Sequence, residues 1–366
     1  MMLGLRGIPD VQGGVEKHVE MLAGRLAARG WRVEVVARRS HLPQPRARDW
    51  RGIRITPLWA PRHVALEAPV HTFLGVLHAA RRRPDILHVH AIGPSLMVPL
   101  ARLFGLRVVV THHGYDYDRQ KWGALARRVL RLGERFGMRL SHGRIAVSAE
   151  IARTMHARHG VRVDFVPNGV ATATCAEPGS VLDTFGIERR RYILYAARIV
   201  PEKRQLDLIR AFARLGDPGL RLVIAGDDAF NGAYAREVRA LAAAMPGVVL
   251  AGFQSGERLA ALFGNAALFV LPSSHEGMPI AVLEAMAYGL PVLVSDIVAN
   301  RELGLPEDDY FPLGDVDALA AALAARLGDL PSEAAMGERA AKVAHAYSWA
   351  GIADRTAALY RKALGR

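Results

Sequence analysis

Short apolar runs alternate with amphipathic helical segments along this chain, and the alternation starts twice. In the first half, apolar runs at 32–37, 85–90, 107–111 and 144–148 are bounded by turn residues, as buried strands are. Helical patterns lie between them at 15–28 (apolar at 15, 19, 22 and 26), 70–82, 96–104 and 122–140. A short strand and turn at 165–170 precede a stretch, 171–180, with the poor periodicity of a linker. A second series of strands follows at 192–197, 221–225, 248–251, 267–271 and 291–295, and an amphipathic helix at 349–364 ends the chain. Such alternation specifies parallel sheets covered by helices on both faces. With 366 residues there is chain enough for two of them. The expected fold is α/β: two doubly wound Rossmann-like domains, 1–175 and 176–366, facing a cleft. The last helix is a candidate to pack back on the first domain.

Several classes fall away on composition. Hydrophobic residues at 51% and charged residues at 23% are globular proportions, which excludes a disordered chain. The single cysteine, Cys175, excludes an internal disulfide framework and cysteine-rich zinc modules, and fits a reducing compartment. No run of 18 uncharged apolar residues is present, and the start has too short an apolar run for a signal peptide. A cytoplasmic enzyme is expected. The charge is lopsided: residues 1–175 carry 28 Lys and Arg against 12 Asp and Glu, a net +16, whereas 176–366 carry 20 against 23, a net −3. Only five of the 48 basic residues are Lys, which reads as a general arginine bias, but bias does not explain why the excess sits in one half. An anionic partner of the first half is expected: nucleic acid, a membrane surface or an acidic substrate.

In open parallel sheets ligands bind beyond the C-terminal strand ends, so motifs just after strands carry the functional weight. Gly13-Gly14 lies between a short opening strand, 1–5, and the first helix. Paired glycines let the backbone approach a ligand, and a helix N-terminus offers free N–H groups to phosphate, although a tight turn would need the same residues. His88 and His90 share one side of a strand, and His112 and His113 end the next. Four imidazoles suggest a zinc site, but neither a cysteine nor a clear carboxylate completes it. The other readings are polar residues lining a strand end, or one functional histidine, His113, contacting a sugar. Asp116 and Asp118 form a D-x-D that could hold a metal–diphosphate or merely shape a loop.

Arg198 and Lys203 flank the turn after the first strand of the second domain, where a guanidinium fork and an ammonium suit a diphosphate, or are simply solvated. The most specific motif is His275-Glu276-Gly277-Met278-Pro279 before a helix at 280–288. Pro279 suits the first helical position, and Gly277 leaves N–H groups accessible to an anion. Glu284 lies eight residues beyond Glu276, roughly 12 Å along a helical rise, so the two carboxylates can meet different ends of an extended ligand. Apolar flanks predict that Glu284 is partly buried and needs a partner.

Taken together, Gly13-Gly14-Val15-Glu16-Lys17-His18, His113-Gly114, Val166-Pro167-Asn168-Gly169-Val170, Arg198 to Lys203, and Glu276 with Glu284 resemble, in order, the motifs of family 4 retaining glycosyltransferases of the GT-B architecture. Arg6-Gly7-Ile8-Pro9 and Lys121-Trp122-Gly123 resemble bacterial enzymes of surface-polysaccharide assembly. The resemblance implies a nucleotide-diphosphate sugar bound mainly by the second domain and an acceptor bound mainly by the first. Arg198 and Lys203 would hold the diphosphate with help from the backbone of Gly14, after Gly13. Glu284 would accept from the ribose hydroxyls. Glu276, with Gly277 and Met278, would grip the donor sugar, and His113 would contact it near the reacting centre. Asn168 falls in a matching motif. A front-face mechanism without metal or cofactor is implied, for a hexosyl- or deoxyhexosyl-transferase acting on a lipid-linked or glycan acceptor in cell-surface glycan synthesis.

Two rivals are a glycosyltransferase with a soluble acceptor and a non-enzymatic basic membrane or nucleic-acid binder. Against the nucleic-acid reading, the basic residues lack interleaved aromatics. We expect peripheral docking at the inner face of the plasma membrane through the helix at 122–140. Its apolar residues Trp122, Leu125, Val129, Leu132, Phe136 and Leu140 form one stripe beside Arg128, Arg131, Arg135 and Arg139. The alternative is that this stripe packs on the sheet and leaves the arginines in water.

Overall fold

The structure, a computed structural model, describes residues 1–42, 48–63, 65–118, 122–171, 173, 179–228 and 232–365. Cys175, Lys121 and most of the expected 171–180 linker lie outside the described residues. The chain divides into two compact units, residues 1–169 with 349–366 and residues 170–348.

The first unit is built on an eight-stranded sheet with strands β1 (Met2–Leu3), β2 (Val33–Arg38), β3 (Arg48–Trp50), β4 (Ile53–Leu58), β5 (Leu87–His90), β6 (Val108–His112), β7 (Gly143–Ala146) and β8 (Asp164–Phe165). Their order is β3-β4-β2-β1-β5-β6-β7-β8, and every neighbouring pair is parallel except β3 with β4. The second unit carries a six-stranded, wholly parallel sheet of β9 (Tyr192–Ala196), β10 (Arg221–Ala225), β11 (Val248–Gly252), β12 (Leu268–Leu271), β13 (Val292–Ser295) and β14 (Tyr310–Phe311), ordered β11-β10-β9-β12-β13-β14. The central strands Val108–His112, Leu268–Leu271 and Val292–Ser295 are wholly buried and mostly apolar, as strands covered on both faces are, with polar residues only at the C-terminal ends of the first and third. In each sheet the first strand sits in the middle and the chain winds away from it in both directions. The loops after β1 and β9 are therefore topological switch points, where ligand crevices form.

Three expectations need correction. The division falls between Gly169 and Val170, not at 175. There the Val170 N–H donates to the Tyr347 carbonyl at 2.9 Å and Val170 bridges to Ser348, so the chain enters and leaves the second unit side by side. The terminal helix Trp349–Leu364 joins the first unit: Trp349, Ile352, Ala353, Ala357 and Tyr360 are buried in its core with Val19, Leu22 and Leu26. Gly169 is shaped by that packing, because a Cβ there would lie 2.6 Å from the Trp349 ring. Second, the segment 96–104 is not one helix but a 3-10 turn, Pro94–Met97, followed by the helix Val98–Leu103. Third, Pro279 is the N-cap of the helix Ile280–Ala287 rather than its first residue.

The helix Ala124–Leu140 also settles which of its faces is buried. Gly133, Glu134, Gly137 and Met138 face inward. A Cβ at Gly133 would lie 2.3 Å from the Ile92 carbonyl oxygen, and one at Gly137 would lie 2.9 Å from the Ser95 Cβ. The helix thus approaches its neighbours closely at two glycines, while Leu125, Val129, Leu132 and Leu140 remain exposed. Of the six residues in the expected stripe, these four do not pack on the sheet, and Trp122 and Phe136 are half-buried.

Candidate functional site

The candidate residues form two groups, one at the switch point of each sheet. In the first unit the loop after β1 runs into the helix Gly14–Ala27. Glu16 turns back under the loop, accepting from Arg6 Nε at 3.0 Å and from the Arg6 backbone N–H at 3.1 Å. A Cβ at Gly13 would meet Glu16 Oε2 at 2.0 Å, so only glycine fits there, whereas Gly14 has open space beside it.

Below this loop the structure gathers three imidazoles: His18, His90 and His113. His90 Nδ1 and His113 Nε2 share a hydrogen bond of 3.1 Å, and the His18 and His113 rings meet edge to face at 4.8 Å. His18 Nδ1 donates to Asn168 Oδ1 at 2.8 Å, which ties Asn168 to the group. His88 stands behind His90, bonded to Tyr360 Oη at 2.6 Å and Thr111 Oγ1 at 2.7 Å. Burial pushes His18 down to about 4, and it holds His88, His90 and His113 well below the ordinary histidine range with help from neighbouring imidazoles. All four are therefore neutral at pH 7.

The expected quartet of His88, His90, His112 and His113 is corrected in two ways. His112 points to the other face of β6, because adjacent strand residues alternate. There it donates to Glu134 Oε2 at 3.4 Å. Burial alone would raise the Glu134 carboxyl, but hydrogen bonds from His112, His159 and Arg158 bring it down to about 2. His18 takes the vacated place in the cluster. Its signal was present in the sequence, since it lies on the helix face marked by Val15, Val19 and Leu22. The ligand-capable nitrogens of His18, His90 and His113 lie within 4.8 Å of one another, a spacing three imidazoles could close around a metal ion. The hydrogen bonds just described already engage one nitrogen of each. Asp116–Asp118 is a 3-10 turn around the buried Tyr117, whose hydroxyl donates to Glu134 at 3.0 Å. On that side a cavity of about 560 Å³ is lined by Tyr115, Tyr117, Arg131, Arg135, Glu150 and Arg158, among others.

In the second unit Arg198 lies just past β9, and a 3-10 turn, Pro201–Lys203, leads into the helix Gln205–Ala213. The wholly buried Gln205 holds the turn, its Nε2 donating to the Arg198 carbonyl and to Tyr195 Oη, both at 2.8 Å. The Glu202 carbonyl accepts from the Ser274 N–H at 2.9 Å, joining this turn to the loop after β12. Across the joint, Lys203 Nζ donates to Glu276 Oε1 in an ion pair whose side chains are 17% and 10% exposed. Gly277 and the buried Met278 follow, and the helix Ile280–Ala287 carries Glu284, half-buried as expected, on its second turn. Lys203 and Glu276, 73 residues apart, are thus brought together. Each unit by itself presents its candidates at the C-terminal strand ends.

Comparisons with known proteins agree with this architecture. Residues 13–169 match the glycosyl transferase 4-like domain, and residues 183–343 match the glycosyl transferases group 1 family. The MMP alpha-(1->4)-mannosyltransferase of Mycolicibacterium hassiacum is 30% identical over 312 residues, spanning 80% of this chain and 74% of that protein. Among solved structures, sucrose-phosphate synthase from Thermosynechococcus elongatus superposes with a TM-score of 0.83 at 22% identity, covering 100% of this chain and 98% of that one. Anabaena Alr3699/HepE in complex with UDP and glucose gives a TM-score of 0.76 at 18% identity, covering 98% and 97%. Two doubly wound sheets, motifs at both switch points and these two matched domains lead to one conclusion: the chain belongs to the GT-B glycosyltransferases, with a glycosyl transferase 4-like domain followed by a group 1 domain.

Proposed function

We propose that this glycosyltransferase moves a hexosyl or deoxyhexosyl group, with retention, from a nucleotide-diphosphate sugar to a lipid-linked or glycan acceptor in cell-surface glycan synthesis. The observation that carries the donor reading is the second unit's switch point. Lys203 pairs with Glu276 there, and Arg198 stands on the same turn, which buried Gln205 and Ser274 hold in place. In this reading Arg198 and Lys203 bind the diphosphate, Glu284 accepts from the ribose hydroxyls, and Glu276, Gly277 and Met278 bind the donor sugar. His113, neutral and oriented by His90, accepts from or donates to a sugar hydroxyl. Gly13 and Gly14 offer the helix N-terminus to the anion, and Asn168 orients His18. The first unit is the acceptor domain and the second the donor domain.

The chemistry follows from the charges. The bond between the anomeric carbon and the diphosphate oxygen breaks, and negative charge grows on the diphosphate. In this reading the Arg198 and Lys203 cations stabilise it. The acceptor oxygen bonds to the same face of the anomeric carbon, and its proton passes to the departing diphosphate oxygen. The bound UDP of HepE supports a nucleotide donor. Among the described residues no helix is long and apolar enough to cross a membrane. In this reading the enzyme meets a lipid-linked acceptor at the membrane surface, from the cytoplasmic side.

A panel of nucleotide-diphosphate sugars tests this. At least one should raise the melting temperature and be hydrolysed or transferred with retained anomeric configuration. If none is bound or turned over by the folded chain, the reading fails.

A further inference from the structure

The exposed half of the helix Ala124–Leu140 has two distinct strips. Leu125 is 76% exposed, and Val129, Leu132 and Leu140 about 40% each. Roughly 90° round the helix, Arg128, Arg131, Arg135 and Arg139 form a second row, all exposed. Arg127 is exposed too. The one carboxylate of the helix, Glu134, is turned inward and 2% exposed. Every charge that this helix shows to solvent is therefore positive. The cause is the glycine packing of the opposite face: Gly133 and Gly137 take the close contacts that leucines would otherwise make.

We infer that this face is a docking surface for an anionic lipid bilayer, a conclusion that rests on the lipid-linked acceptor reading above. A helix of 17 residues, about 25 Å long, lies flat in a bilayer interface, its aliphatic strip among the acyl boundary and its guanidinium row at the lipid phosphates. Charge selects this occupant over a second copy of the chain. A twofold contact through the same face would set arginine rows against each other with no carboxylate of the helix between them. The cavity bounded by Arg131 and Arg135 opens beside this helix, so docking would bring it to headgroup level.

The test uses the full chain and vesicles of phosphatidylcholine with or without phosphatidylglycerol. Co-sedimentation should need phosphatidylglycerol and weaken as salt rises. Two variants divide the face: Arg128→Glu/Arg135→Glu/Arg139→Glu, and Leu125→Ser/Val129→Ser/Leu132→Ser. All six positions are exposed, and Arg131 is left in place because its guanidinium lies over the Tyr117 ring, 5.2 Å from the centroid. The charge-reversal variant should lose about a hundredfold in partitioning. The serine variant should bind more weakly at high salt than the parent. Nucleotide-sugar binding without vesicles is measured on the same preparations and should be unchanged, so loss of docking and loss of the donor reading are separate results. Equal binding of neutral and anionic vesicles, no binding at all, or parental binding by the charge-reversal variant overturns the inference. So does concentration-dependent self-association that the serine variant abolishes without any vesicle binding.

Discussion

Removing Lys203 should damage rate and stability for different reasons, and a double-mutant cycle with Glu276 separates them. The ammonium and carboxylate are paired at side-chain exposures of 17% and 10%. Lys203→Met leaves the Glu276 carboxylate mostly out of water without its partner. That should cost about 1–3 kcal/mol of stability, below the cost for a fully buried pair because the rim stays wet. It also removes one cation from the developing diphosphate charge, which should cost about 3–4 kcal/mol of barrier, or roughly two to three orders of magnitude in kcat. Adding Glu276→Gln removes the orphaned charge. Urea unfolding of the two single variants and the double should then show a coupling of about 1–2 kcal/mol, with the double more stable than Lys203→Met. Turnover of the double should stay as low as that of Lys203→Met, because the missing cation has not been replaced. Parental kcat in a folded Lys203→Met protein would refute the diphosphate role. Strictly additive stabilities would refute the energetic role given to the pair.

Three further outcomes follow from the same geometry. Arg198→Ala and Glu284→Ala should each lose about a hundredfold or more in kcat/KM while circular dichroism and melting temperature stay near the parent's; a folded Arg198→Ala protein with parental turnover would remove Arg198 from the site. The depressed histidines tie stability to pH: His18 titrates at about 4 folded and near 6.5 unfolded, so its contribution is complete above 6.5 and is lost as pH falls toward 4. That alone is worth about 3 kcal/mol, and His88, His90 and His113 act in the same direction, so urea midpoints should fall steadily from pH 7 to 5; a flat profile would contradict neutral burial of the cluster. Turnover should survive chelation and dialysis; if one divalent ion restores activity lost to chelation, His18, His90 and His113 are its ligands.

The two periodicities of the sequence carried most of the fold. The run at 221–225 reads as a strand and is one, and the helices expected at 15–28, 122–140 and 349–364 appear within a residue or two of their patterns. The strands at 53–58 and 310–311 were not legible. The first interrupts its apolar alternation with Pro57, and the second has only two residues. The candidate positions stand past strand ends in the structure as they do in the sequence: His113 and Arg198 just beyond β6 and β9, and Glu276 in the loop after β12.

What the sequence determined by itself is local: which segments pair as strands, which coil as helices, and which residue types stand at strand ends. These follow from periods of two and 3.6 that a short window contains. Tertiary structure alone decided the pairings between distant segments. It set His18 rather than His112 beside His90 and His113, brought Lys203 against Glu276 across 73 residues, and returned the terminal helix to the first unit. It also reversed the usual logic of an amphipathic helix, because at 124–140 glycine-mediated close approach to Ile92 and Ser95 chose the buried face and left Leu125, Leu132 and Leu140 outside. Hydrophobic burial scales with the area that can reach a partner, and backbone proximity fixed by the sheet sets which face can reach.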